Sequence, residues 1–231
     1  MRYNCVIFDF GASEMTQSKP QTKSRERVRK HGEVFTAERE VKAMCDLVKD
    51  ETERIDSRFL EPACGDGNFL AEILTRKLAI VRKKYARSPL DYEKNAVLAA
   101  SSIYGVDLLL DNVQACRARM FAIWDKEYRA VCKRNCNEQT RNAVRFILAK
   151  NIVCGNALTL KCVDENQNDT DEPIVFSEWA FVTGNNLQRS DYIFAELFAS
   201  DETAPSAAPP RDGGVFLKKY VTHYRRVDEN G

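Results

Sequence analysis

The stretch Phe59–Leu70, FLEPACGDGNFL, places two glycines one residue apart between a short apolar segment and a long amphipathic pattern. A strand that passes through a Gly-rich turn into a helix brings backbone amides and the positive end of the helix to one point. In α/β folds this point lies outside the carboxyl ends of the strands, where ligands bind. The stretch therefore predicts a strand, a ligand-binding turn at Gly65 and Gly67, and a helix from Phe69.

Helical and strand-like patterns alternate on both sides of this turn. Apolar residues recur at helical spacing in segments 36–48, 69–88, 91–101, 111–131 and 191–199, and strand-like patterns occupy segments 58–61, 102–107, 146–154, 174–182 and 215–224. Thr36 is the expected cap of the first helix, and the polar segment 163–173 is expected to be a loop. The alternation predicts an α/β domain with a mainly parallel sheet.

Composition divides the chain into four parts. Residues 1–30 contain a short apolar run, expected to be a strand whose pairing is left open, and a polar arm rich in lysine and arginine. Residues 31–199 form the expected α/β domain. Residues 200–214 consist of proline, glycine and mostly small or polar residues, which is typical of a linker, and residues 215–231 are expected to be a final strand or tail.

The charge balance excludes a chain-wide attraction to nucleic acid. Lys+Arg number 35 and Asp+Glu 34 among 231 residues, giving a formal net charge of +1, so any contact with a polyanion must use a local patch. The candidates are the arm, with Arg27, Arg29 and Lys30, and the helix after the glycines, with Lys83 and Lys84. A run of positive charge is also typical of an ordinary solvated surface.

Cysteine usage and hydropathy predict a cytoplasmic protein. The eight cysteines follow no regular framework of disulfide or zinc-site spacing, and ordinary thiols are the simpler interpretation. The sequence contains no apolar run long enough for a signal peptide core or a membrane helix. We therefore expect no membrane partner.

A carboxylate follows the next predicted strand. Asp107 ends Ser102–Asp107 and is placed to accept hydrogen bonds from a ribose, which indicates a nucleoside-containing ligand. Leu70 occupies the place of the third glycine in the dinucleotide fingerprint, so a dinucleotide is not specified. The carboxylate of Glu61, just before the turn, can accept from a ligand ammonium group. Asp107 can alternatively cap the following helix.

Four ordered blocks resemble a known family. Arg29–Thr36 (RKHGEVFT), Phe59–Leu70, Gly105–Asp107 and Gly155–Leu158 are similar to the motifs of class I S-adenosylmethionine-dependent, adenine-specific (N6) DNA methyltransferases, as in type I modification subunits and type IIG restriction–modification enzymes. The resemblance implies a Rossmann-like class I methyltransferase fold without the family's last strands. It also implies S-adenosylmethionine as cofactor, DNA as substrate in restriction–modification or defence, and a partner subunit that supplies target recognition or completes the site.

The resemblance assigns nine residues to the cofactor. They are Phe35 and Thr36 over the methionine end, Glu61, Cys64, Gly65 and Gly67 around the amino-acid and sulfonium groups, Asp107 at the ribose, Leu108 against adenine, and Asn156 at the adenine amino group. Asn156 stands where the family usually has aspartate. Its amide oxygen can still accept that hydrogen bond, without the charge.

The catalytic motif of the family is not found. Its members use Asn or Asp, two prolines and an aromatic residue after the fourth strand, whereas segment 182–188 reads VTGNNLQ and offers only Asn185 as a candidate. A flipped adenine without an aromatic platform loses stacking of about 1–3 kcal/mol. Three hypotheses stay open: a methyltransferase using Asn185 or a partner, a catalytically inactive binding or regulatory subunit, and a methyltransferase acting on RNA or protein.

Overall fold

The computed structural model describes residues 4–5, 36–197 and 216–230, and in these the strands form two sheets. The strands are β1 (Asn4–Cys5), β2 (Phe59–Glu61), β3 (Ile103–Asp107), β4 (Ile152–Asn156), β5 (Lys161–Val163), β6 (Asp169–Pro173), β7 (Val175–Phe181), β8 (Asn186–Ile193) and β9 (Phe216–His223). The helices are α1 (Glu38–Leu47), α2 (Lys49–Thr52), α3 (Asn68–Tyr85), α4 (Pro89–Ser101), α5 (Leu110–Cys132) and α6 (Glu138–Asn151). Short 3-10 segments cover Lys133–Asn135, Phe194–Leu197 and Tyr224–Asn230.

The larger sheet has six strands in the order β1-β2-β3-β4-β5-β6. Strands β1 to β4 run parallel, and β5 and β6 add an antiparallel hairpin. The expected α/β class is confirmed, and the sheet is mixed, with its parallel part first. Strands β2, β3 and β4 end on the same side of this sheet, which is called the carboxyl edge below, and the opposite side is called the amino edge.

Helices cover one face of the larger sheet. Alternate strand residues, Phe59, Ile103 and Ile152, point into a core built with apolar side chains of α1, α3, α4, α5 and α6. This core includes the fully buried Trp124, whose indole nitrogen donates to the Ala96 carbonyl at 3.0 Å. Burial of this apolar surface is the main force that fixes α3 and α5 beside the glycine turn.

A second sheet of three antiparallel strands, β7-β8-β9, covers part of the other face. Leu60, Tyr104 and Val106 of the larger sheet pack there against the segment that includes Phe176 and the nearby Phe194. The Tyr104 hydroxyl donates to the Ser177 carbonyl at 3.0 Å. Strands therefore cover this face at the positions where flanking helices were expected.

The last described segment belongs to the fold. Strand β9 pairs with β8, which confirms the expected final strand, and the following Tyr224 and Val227 are buried. The Tyr224 hydroxyl donates to the buried carboxylate of Glu93, and Arg225 Nε lies 2.6 Å from the same carboxylate. These contacts attach the C-terminal segment to α4.

Four expectations about elements are wrong. Residues 146–148, expected in a strand, lie in α6, which starts at an Asn137 cap whose side chain accepts from Gln139 N. Segment 163–173 contains β6 and the end of β5 rather than only a loop. Of the expected helix 191–199, residues 191–197 form the end of β8 and a 3-10 turn, and residues 198–199 lie outside the described parts. Helix α1 begins at Glu38 after Ala37, without a side-chain cap from Thr36. The basic arm, including Arg27, Arg29 and Lys30, the linker 200–214 and Phe35 lie outside the described residues.

Candidate functional site

The glycine turn, Pro62–Gly67, connects β2 to α3 at the carboxyl edge. Cys64 N donates to the Val106 carbonyl of β3 at 2.9 Å, and Gly67 N donates to the Cys64 carbonyl at 2.8 Å. Gly65 and Gly67 both have positive φ, +53° and +88°. Glycine adopts such angles without the steric cost that a Cβ atom brings, so the turn has the conformation that the sequence predicts.

The two glycines differ in what surrounds them. Among the described residues, a Cβ atom added to Gly65 would have no neighbour within 4 Å, whereas one added to Gly67 would lie 2.6 Å from Cys116 Sγ of α5. Gly67 is therefore needed for packing between the start of α3 and α5. The open side of Gly65 is the side on which a ligand can approach the backbone.

A glycine of the neighbouring strand makes room for Leu70, which stands where the dinucleotide fingerprint has its third glycine. Leu70 is fully buried, and a Cβ atom on Gly105 of β3 would lie 3.0 Å from Leu70 Cδ1 and 3.0 Å from Cys64 Sγ. The absence of a side chain at Gly105 thus provides the room that a small residue at position 70 would otherwise provide. Close packing of helix on sheet is kept.

Asp107 holds the turn and the start of α5 together. Its Oδ2 accepts from Gly65 N at 2.9 Å, and its Oδ1 accepts from Leu109 N at 2.9 Å and Asn112 Nδ2 at 3.1 Å. The alternative interpretation of Asp107 as the cap of α5 is wrong, because the N-cap is Leu109 and no side chain caps this helix. Asp107 instead holds the segment that leads into α5, and the same carboxylate lies beside Gly65. A carboxylate offers about four acceptor positions. Within the described residues three of these positions are used, and one, on Oδ2, remains for a ligand hydroxyl.

Glu61 ends β2 at the same edge. It lines a shallow recess between α1 and α3 that is otherwise apolar, formed by Cys45, Val48, Phe59, Leu60, Phe69, Leu70 and Ile73. Burial raises the pKa of Glu61 to about 7, against the opposing effect of a hydrogen bond from the Ala63 amide. A cation bound next to this carboxyl would favour its ionised form.

Cys64 lies beneath the glycine turn rather than on its open side. Its thiol donates to the Gly65 carbonyl at 3.7 Å, and the interaction with the Cys116 thiol, followed by burial, raises its pKa well above the usual range. Cys64 is 6% exposed and Cys116 is fully buried. Both thiols therefore act here as packing groups that support the turn.

The remaining assigned residues surround the edge more loosely. Asp107 is in register with Cys154 of β4, which brings the exposed Leu108 beside the end of that strand. At this end Asn156 Oδ1 accepts from Leu158 N, and its Nδ2 donates to Asp169, both at 3.0 Å. Thr36 is partly exposed and precedes α1. Thr36, Leu108 and Asn156 thus border the carboxyl edge or the helix beside it.

Arg119 of α5 was not predicted and is bonded to the turn region. Its Nη1 donates to Asn68 Oδ1 at 2.7 Å and lies 3.6 Å from Asp66 Oδ1. Its charge also contributes, after the hydrogen bond and charge of Lys42, to a lowered pKa of Glu38 at the start of α1. Arg119 therefore lies between the starts of α1 and α3. Its helix position carries no motif, so the sequence contained no signal for this contact.

The structure places Asn185 at the opposite edge. Strand β7 follows Ile174, which lies against Gly155 near the carboxyl edge, and it reaches the amino edge where Glu178 pairs with Arg58 and Trp179 Nε1 donates to Asn151 Oδ1. Asn185 lies in the exposed turn beyond this point. Its carbonyl accepts from Tyr224 N at 3.0 Å.

The expected position of Asn185 after a fourth parallel strand is therefore wrong. The preceding strand, β7, belongs to the separate antiparallel sheet. The physical reason is that β7 crosses the larger sheet from its carboxyl edge to its amino edge. Asn185 is thus not brought together with Gly65 and Asp107.

Lys83 and Lys84 are also remote from the turn. They occupy the last turn of α3, and both are exposed. At 1.5 Å per residue they lie about 22 Å along the helix from Asn68. A polyanion bound there would contact the far end of α3 rather than the carboxyl edge.

Comparisons with family models, with curated proteins and with solved structures found no match for this chain. Across the part of the chain that the structure describes, the helices are too short or too polar to cross a membrane. In the same residues, histidine, cysteine and acidic side chains form no group of three or more that could hold a metal ion.

Proposed function

We propose that the carboxyl edge binds S-adenosylmethionine and that the chain works as a methyltransferase-type protein of restriction–modification or defence systems, with adenine N6 in DNA as the methyl acceptor. The observation that carries the proposal is the hydrogen bond from Gly65 N to Asp107 Oδ2 at 2.9 Å. This hydrogen bond joins a left-handed glycine turn to a carboxylate that can accept from a ribose hydroxyl, both at the carboxyl edge. Nucleoside cofactors bind to this combination in α/β folds.

The charge of the site favours a sulfonium cofactor over a dinucleotide. Glu61 lies in an otherwise apolar recess at the end of β2, and burial raises its pKa to about 7. A ligand cation bound beside it would therefore favour its ionised form. S-adenosylmethionine carries an ammonium group and a sulfonium centre, whereas a pyrophosphate is anionic and would be repelled by Glu61. The four ordered motif blocks point to the same cofactor.

Calorimetric titration tests this binding. We expect S-adenosylmethionine and S-adenosylhomocysteine to bind the unaltered chain, and NAD and ATP to bind more weakly. Asp107→Asn should weaken S-adenosylmethionine at least about tenfold, because the ribose loses a charged acceptor. Asp111→Asn, four residues further along the same helix start, is the matched control and should change little. Equal affinity of the two variants would contradict the assignment.

A second candidate function is supported by the position of Asn185. With this residue at the amino edge, the described residues place no Asn, Asp or aromatic group of a catalytic motif beside Gly65 and Asp107. A cofactor-binding subunit that depends on a partner for chemistry, or regulates one, fits this arrangement. A fixed and aligned nucleophile is required for methyl transfer at useful rates.

Transfer of labelled methyl groups to DNA separates the two functions. Incorporation by the purified chain supports the methyltransferase, and binding without incorporation supports the subunit; RNA and protein acceptors extend the same assay. If incorporation occurs, Asn185→Ala should leave it unchanged, because Asn185 lies at the far edge. Loss of incorporation in this variant, with binding intact, would restore Asn185 as a catalytic residue.

A further inference from the structure

We infer that Arg119 determines the specificity of the carboxyl edge for a ligand carboxylate, namely the α-carboxylate of S-adenosylmethionine. This inference rests on the proposed function. The methionine part of the cofactor carries one ammonium and one carboxylate group, and Glu61 provides a partner for the ammonium only. The carboxylate requires a cation or several hydrogen-bond donors.

Arg119 is a cation bonded to the glycine turn region. Both of its contacts, with Asn68 and Asp66, use Nη1. Within the described parts of the chain, Nε and Nη2 of Arg119 have no hydrogen-bond partner. Three N–H donors of the planar guanidinium therefore remain for a ligand.

The position of Arg119 fits the methionine end of the ligand. With the ribose at Asp107, the ligand crosses the open side of Gly65 toward the start of α3 and the recess that holds Glu61. Arg119 lies at the start of α3, and its charge acts on Glu38 at the start of α1. Its side chain is 41% exposed, so a ligand can reach it without displacing a buried contact.

The two contacts of Arg119 orient its guanidinium group without cancelling its charge. Asn68 contributes a neutral acceptor at 2.7 Å, and Asp66 is further away at 3.6 Å and 33% exposed. Such contacts orient the guanidinium while water screens the acid. A carboxylate bound by the two unused nitrogens would make a bidentate pair, which is the geometry that arginine favours over lysine.

A truncated-ligand series tests this role against a purely structural one. The ligands are S-adenosylmethionine, its decarboxylated form, which keeps the sulfonium and the amine, and 5′-methylthioadenosine, which lacks the amino-acid end. Each is titrated calorimetrically into the unaltered chain, Arg119→Met and Arg119→Lys. Arg129→Met is the control, because Arg129 is an exposed arginine of the same helix that pairs with Asp125 at 2.8 Å.

The unaltered chain should bind S-adenosylmethionine about ten- to a hundredfold more tightly than the decarboxylated form, as expected for charge-assisted hydrogen bonds. Arg119→Met should remove this preference and leave the affinity for 5′-methylthioadenosine unchanged. Arg119→Lys should keep part of the preference, and Arg129→Met should keep all of it. If Arg119→Met weakens all three ligands equally, or weakens none of them, the role of Arg119 is overturned. The proposed function is not affected by that result. If the unaltered chain binds none of them, the proposed function falls and this inference falls with it.

Discussion

Substitution of the two turn glycines by alanine separates packing from ligand access. Gly65 and Gly67 share a positive φ, +53° and +88°, but among the described residues a Cβ atom meets open space at the first and Cys116 Sγ at 2.6 Å at the second. The left-handed conformation costs alanine about 1–2 kcal/mol. Overpacking against Cys116 adds about 1–3 kcal/mol, so Gly67→Ala should cost about 2–5 kcal/mol and Gly65→Ala only the smaller amount.

Urea unfolding of the two variants measures these costs, and Cys116→Ala provides the double-mutant cycle. Removal of the Cys116 sulfur should recover part of the cost of Gly67→Ala, with a coupling of about 0.5–3 kcal/mol, and should recover none of the cost of Gly65→Ala. S-adenosylmethionine affinity should show the opposite ranking, because the methyl group on Gly65 lies on the open side of the turn. Equal stability losses with no coupling to Cys116 would refute the packing explanation.

Three further predictions concern charged residues. Because burial raises the pKa of Glu61 to about 7, affinity for S-adenosylmethionine should increase as pH rises from about 6 to about 8, and Glu61→Gln should remove this dependence in calorimetry; an unchanged pH profile in the variant would exclude Glu61. Burial lowers the pKa of Lys77 to about 7, whereas its ordinary pKa, 10.5, applies in the unfolded chain. Between these two pH values the unfolded chain binds more protons than the folded chain, so the free energy of unfolding should rise with pH. Lys77→Met should flatten this rise in urea unfolding, and an identical slope in the variant would contradict the prediction. Replacing Lys83 and Lys84 by alanine should leave S-adenosylmethionine affinity unchanged, since they lie about 22 Å along α3 from Asn68, and any loss of salt-dependent DNA retention would then report a separate surface.

The central unit of the fold was predictable because its signals are local. The glycine turn, α3, β3 and α5 follow from glycine positions, apolar periodicity and a carboxylate at a strand end, all within Phe59–Cys132. The juxtaposition of Gly65 and Asp107 also follows, because neighbouring parallel strands end at one edge. The hydrogen bond between them and the raised pKa of Glu61 required the structure.

The elements that were predicted wrongly have apolar patterns that do not match their burial in the structure. The end of strand β8 does not show an apolar strand pattern, because the buried Asp191 is a charged residue that pairs with the buried Arg189 at 2.9 Å. Strand β6 is an exposed edge strand without an apolar face. Residues 146–148 are apolar in a row, which favours a strand in a short window, and only the wider spacing of Ala143, Ile147 and Asn151 shows the buried face of α6.

The residues whose positions were predicted wrongly or not predicted are placed by contacts between elements that lie far apart in the sequence. Arg119 is 51 residues from its partner Asn68, and no local pattern indicates that α5 brings it to the start of α3. The position of Asn185 depends on β7 crossing the larger sheet, which follows from contacts such as Tyr104 with Ser177 rather than from the order of motifs. Contacts of this kind are set by tertiary packing.

A crystal structure of the chain with S-adenosylmethionine tests the central claim most directly. The account predicts the adenosyl ribose at the carboxyl edge, with a hydroxyl donating to Asp107 Oδ2 and the ligand passing the open side of Gly65. A cofactor found elsewhere on the molecule, with no ligand atom bonded to Asp107, would contradict it.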